Sequence, residues 1–172
     1  NCTIETRYFS PGWWGRAEPI YVTAIHRAKE TELGRVRNVR FSNCLCRSEN
    51  GVFIAGSEDS LIEDLVLDNV RVEIDKWSKW PGGVHDRRPC MVNDTSFGID
   101  WCKDEGITEH PTAGVYVQHA RNTLLRNVEV VWGENTQDYW GHALDAENAP
   151  GLRLEGFRGE AGKPGLDAQK IE

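Results

Sequence analysis

The chain has 172 residues, 39% hydrophobic and 27% charged, with 17 Gly, 7 Pro and a net charge of −7. These proportions fit one globular domain and argue against a disordered chain or a membrane protein, and no apolar run approaches the length of a transmembrane span. The acidic balance disfavours a nucleic-acid partner. It is uneven, because residues 1–40 carry seven Lys/Arg against four acids, leaving −10 for the remainder.

In chain order, the opening NCTIETRYF alternates as a strand does, so the chain is expected to begin inside a fold. Further strands are predicted near residues 19–24, 37–42, 51–55, 62–67, 70–74, 114–118, 124–131 and 151–155, with almost no helix. The segment Val36-Arg-Asn-Val39-Arg-Phe41-Ser-Asn43 returns as Ile62-Glu-Asp-Leu65-Val-Leu67-Asp-Asn69. Residues 125–132 and 151–156 repeat the same rhythm, with spacings of 26, 63 and 24 between Val39, Leu65, Val128 and Leu152.

A unit of about 25 residues with period-two alternation is the mark of a parallel β-helix, an all-β solenoid whose coils bury their apolar rows only by stacking. Val39, Leu65, Val128 and Leu152 are expected in one interior row, and Phe41, Leu67, Val130 and Leu154 in another. Asn43 and Asn69 are expected to stack their amides in a turn. The long middle spacing places an insertion at about residues 75–111, the one stretch without strand rhythm, inside a single domain spanning 1–172.

The five cysteines, Cys2, Cys44, Cys46, Cys90 and Cys102, do not have metal-ligand spacing, and no cofactor is implied. Cys44 and Cys46 share one face of a strand and read as buried packing. Cys90 and Cys102 flank a loop and pair only if the protein is exported. The acceptor patterns for glycosylation at Asn1 and Asn93 likewise matter only on export.

The stretches WWGRAEPIYVTA (13–24), RVRNVRFSN (35–43), RSENGVFIAGS (47–57) and IEDLVLDNVRVEIDKW (62–77) resemble, in this order, the C-terminal coils of polygalacturonase-like proteins, the family 28 glycoside hydrolases. The likeness covers about residues 1–90. It implies a right-handed parallel β-helix truncated at its N-terminal end, an extracellular or periplasmic setting, and action on plant cell-wall pectic polysaccharide by inverting hydrolysis. The family's Asp-Asp marker occurs nowhere in the chain, and PIYV (19–22) stands where Arg-Ile-Lys is expected. NTQD (135–138) and GHA (141–143) echo two other markers within one coil, outside their proper context. The resemblance therefore implies substrate-contact residues without the catalytic aspartates, so no catalytic residue is assigned. The alternative is a non-catalytic carbohydrate-binding or assembly module.

The densest group of sugar-binding side chains is Trp13, Trp14, Arg16, Glu18, Tyr21 and His26. Aromatic faces stack on pyranose C–H groups, and Arg grips a carboxylate through paired hydrogen bonds. Trp13 and Trp14 serve equally well as a cap on the side of the solenoid. A second group, Trp77, Trp80, His85, Asp86, Arg87, Arg88, Asp100, Trp101 and Asp104, lies in the insertion. It reads first as a loop packed on the side of the fold through Trp77 and Trp80, with Arg87 and Arg88 in ion pairs. His110, His119 and His142 are isolated in the sequence. The first coil is expected to be open, and so to meet either upstream coils or a second copy of the chain.

Overall fold

The computed structural model of the chain describes residues 1–9, 15–26, 32–88 and 106–172. Every regular element among them is a strand. One parallel sheet contains β1 (Cys2–Glu5), β3 (Arg40–Ser48), β6 (Val66–Ile74), β11 (Leu124–Trp132) and β13 (Arg153–Glu155), in that order. A second parallel sheet contains β2 (Tyr21–Thr23), β4 (Val52–Ala55), β9 (Val115–Gln118), β12 (Leu144–Glu147) and β14 (Gln169–Ile171), also adjacent in chain order. The chain therefore passes repeatedly from the first sheet to the second and back, each pass lying beside the last. A short parallel pair, β5 (Ile62–Glu63) with β10 (Ala120–Arg121), joins the two.

The period-two pattern explains the packing, since alternate residues face one shared interior. Cys44, Val70 and Val128 are register partners, as are Cys46, Val72 and Val130. They meet Val52, Ile54, Val115, Val117, Leu144 and Ala146 from the second sheet in a single apolar core. The turn between β3 and β4 passes so close to its neighbour that a Cβ at Gly51 would lie 1.9 Å from the Ala113 carbonyl oxygen.

The interior rows differ from the expected ones. The row of Phe41, Leu67 and Leu154 contains Leu125 in place of Val130, because Leu125 pairs with both Leu67 and Leu154, whereas Val128 and Val130 pair with Val70 and Val72 and so leave both expected rows. The expected rows were slipped by five residues in the third repeat. The cause is visible in the backbone, where each pass carries two left-handed turn residues five apart. One set is Asn38, Asp64, Asn122 and Gly151, and the other is Asn43, Asn69, Asn127 and Gly156, all with positive φ. Asn and Gly are the residues that enter this region at low cost, and the five-residue echo makes either turn resemble the other. As expected, Asn69 Nδ2 donates to Asn43 Oδ1 at 2.8 Å, on the exposed side of the turn. Asn122 Nδ2 donates likewise to Asp64 Oδ1, 58 residues away, at 3.2 Å.

The insertion also has strand structure. β7 (Val84–Asp86) and β8 (Ile107–Glu109) form an antiparallel pair. It lies on the outer face of the second sheet, where it covers the row Tyr21, Phe53 and Tyr116.

Candidate functional site

Strands β1, β3 and β6 all end at one corner of the molecule, and the segments that follow them converge there on Glu49. Glu49 is 5% exposed. It accepts from Tyr8 N (3.2 Å), Lys76 Nζ (3.1 Å), Trp77 N (3.0 Å), Ser78 N (2.5 Å) and Ser78 Oγ (2.7 Å). Burial alone would raise its pKa, but these hydrogen bonds outweigh it and hold the carboxyl below its ordinary range. A buried carboxylate with this many donors fixes the backbone at residues 76–78.

Trp77 stands on that support with 51% of its surface exposed. It lines a cleft of about 390 Å³ together with Glu5, Thr6, Arg7 and Arg47. Arg47 is shared between Glu5 and Glu73, each at 3.3 Å, and the exposed Arg7 has no ion pair among the described residues.

Three of the predicted site residues sit behind this corner. Arg16 lies over the Tyr8 ring at 4.7 Å and 3.7 Å from Asp86. Glu18 accepts from Arg16 N at 2.5 Å and from Asn50 Nδ2 at 3.3 Å. Burial, and then the nearby Asp86 charge, push its pKa up to about 7 against the opposing backbone hydrogen bonds. Tyr21 donates through its hydroxyl to the Asp86 carbonyl oxygen at 2.7 Å, and burial raises its pKa. Asp86 and Arg88 are buried and joined by two hydrogen bonds, Nε–Oδ1 at 2.8 Å and Nη2–Oδ2 at 2.5 Å. Asp86 thus holds a cation and cannot activate a water.

His26 is not part of this group. It faces Asp59 at 3.7 Å across a separate cleft lined by charged residues including Arg35, Arg37, Glu58 and Arg121. Trp13, Trp14, Cys90, Asp100, Trp101, Cys102 and Asp104 lie outside the described residues.

Of the insertion residues, Trp80 meets Tyr8 edge-on at 6.2 Å and Lys79 lies over its ring, so Trp80 packs while Trp77 does not. Arg87 binds the Gln118 side chain and reaches the Tyr116 hydroxyl, instead of making the expected ion pair. His85 touches Phe53 at 4.9 Å and stacks on His110 at 4.0 Å. Burial, His110 and Arg87 lower its pKa to about 3, so it is neutral. His110, isolated in the sequence, also lies 3.6 Å from the buried Asp145. His119 bonds Asn148, and His142 the Asp167 carbonyl. NTQD is an ordinary turn, its Asn135 bonded to Asp75.

The sequence reading missed Glu49 as the organiser of the corner. Its partners at 76–78 lie 27 to 29 residues away, and no periodicity encodes such a contact. Among the described residues, no group of three or more His, Cys, Asp or Glu is placed to hold a metal ion. Comparison with known proteins finds no matching family model, no matching curated protein and no matching solved structure.

Proposed function

We propose that the chain is the C-terminal part of a polygalacturonase-like right-handed parallel β-helix, and that its corner at Trp77 binds an acidic plant cell-wall glycan without cleaving it. The β-helix reading is supported by the two parallel sheets whose strands follow each other in chain order. The binding reading rests on one observation: a half-exposed indole on a rigid backbone, beside Arg7 and Arg47 in one cleft. The indole face supplies the stacking surface for a pyranose, and the guanidinium groups supply its carboxylate's partners. Glu5 and Thr6 accept from hydroxyls, since the Thr6 proton is donated to the Ala17 carbonyl oxygen. A uronate entering the cleft competes with Glu5 and Glu73 for Arg47, which makes binding salt-sensitive. Hydrolysis is not proposed. An inverting mechanism needs an acid and a base facing one water, whereas Asp86 is consumed by Arg88 and Arg16.

Titrating the chain with an oligogalacturonate, followed by tryptophan fluorescence and calorimetry, tests this. Trp77→Ala and Arg7→Ala should each weaken binding at least about tenfold, a neutral galactan should bind more weakly, and no reducing ends should be released. Unchanged binding by Trp77→Ala overturns the assignment of the cleft. Turnover abolished by a single Asp substitution overturns the non-catalytic reading.

A further inference from the structure

The first sheet brings together two thiols that are 42 residues apart in sequence. Cys2 of β1 and Cys44 of β3 are register partners on parallel neighbours, so their side chains leave the same face of the sheet. Cys2 donates to Cys44 Sγ at 3.4 Å, and Cys44 in turn points its S–H at the Ser42 carbonyl oxygen, 3.6 Å away. Neighbouring strands lie about 4.8 Å apart, inside the Cα separation of roughly 4.4–6.8 Å that a disulfide spans. Side-chain rotation alone can therefore shorten the sulfur contact to the bonded length of about 2.05 Å. Cys46 is a different case. It is fully buried and opposes Ile4, and it sits two positions along the same strand from Cys44, roughly 6.6 Å away by strand rise.

We propose that Cys2 and Cys44 form a reversible disulfide that fastens β1 to β3. This proposal does not depend on the glycan reading. Cys2 is exposed and Cys44 is not, so the order of events follows from access. The Cys2 thiolate attacks one sulfur of a small-molecule disulfide, which breaks that S–S bond and releases one small thiol. Cys44 then gives its proton to solvent and attacks the Cys2 sulfur, displacing the second small thiol. Two protein thiols are oxidised while one small disulfide is reduced to two thiols. The bond acts where the fold needs it, because β1 is a four-residue strand whose only neighbour in its sheet, among the described residues, is β3. Glu5, Thr6 and Arg7, which line the Trp77 cleft, lie at its end.

The test is to equilibrate the native chain with oxidised glutathione, block free thiols, and map tryptic peptides. The expected product has lost two hydrogens and joins residues 1–7 to residues 41–47. The link should persist in Cys46→Ala and vanish in Cys2→Ser. Amide exchange of residues 3–5 should slow at least about tenfold relative to the reduced chain. Recovery of Cys2 as a glutathione adduct with Cys44 alkylated, or of Cys2 joined to Cys46, Cys90 or Cys102, overturns the proposal.

Discussion

Outside the first sheet, Glu5, Arg47, Glu73, Arg71, Glu129 and Arg158 form a chain of ion pairs running from one strand to the next in contact with water. Outside the second sheet, Tyr21, Phe53 and Tyr116 stack at 5.3 Å intervals beneath His85, and Phe53 keeps only 2% of its surface. Both rows are built by the same parallel register, yet only one is buried, because the insertion hairpin lies over the second sheet and not the first. The comparison separates register from stability. Solvated charges between adjacent passes favour one alignment at little net energy, whereas the covered aromatic row binds the hairpin to the fold.

The largest expected effect is at the base of the covered face. Asp86→Ala removes a fully buried ion-pair partner of Arg88 together with the carboxylate beside Arg16, so urea denaturation should show a loss of about 3–5 kcal/mol. Phe53→Ala should cost about 3–4 kcal/mol, and exchange of the Val84–Asp86 amides should accelerate more than that of the core strands. Equal acceleration throughout would mean that the hairpin is not held by this row.

The same region yields a pH signature of two opposing signs. Glu18 has a folded pKa of about 7 against an ordinary 4.5, so the folded state holds the extra proton. Its contribution is complete below about 4.5 and is lost as pH rises to about 7. His85 has a folded value of about 3 against an ordinary 6.5. Here the unfolded state binds the extra proton, and the contribution is present above about 6.5 and lost as pH falls toward 3. Between these limits the two slopes oppose each other. Relative to the parent chain, Glu18→Gln should gain stability with rising pH and His85→Phe should lose it, each by up to about 1.4 kcal/mol per pH unit. Parallel curves for all three chains would refute the assignment.

The smallest effect belongs to the solvated face. Arg71→Ala breaks pairs with Glu73 and Glu129 but should cost less than about 1 kcal/mol, and the difference should shrink in high salt. A cost near that of Phe53→Ala would erase the contrast between the faces.

Much of the fold was legible in the residues. Alternation in Arg40–Ser48, Val66–Ile74 and Leu124–Trp132 reports a half-buried strand directly, and Asn at positive φ marks the turns. Legibility failed at the register of the third repeat, because Asn122 and Asn127 are both turn residues and only strand pairing tells which opposes Asn69. The site was legible in part. Arg16, Glu18 and Tyr21 lie within six residues of one another and do converge around Asp86, but His26 follows β2 to a different cleft.

Sequence alone determined the all-β class and most strands of the first sheet, because side-chain alternation is a local property of a few residues; it did not predict Leu144–Glu147, Gln169–Ile171 or the Val84–Asp86 and Ile107–Glu109 pair. Only the tertiary structure decided that Glu49 clamps the support of Trp77, that the β7–β8 pair covers the outer face of the second sheet, and that Cys2 meets Cys44. Each of these joins residues more than 25 positions apart through contacts that exist only once neighbouring passes are in register. Their partners are selected by packing and hydrogen-bond satisfaction across the assembled sheets, and no local pattern in the chain records that selection.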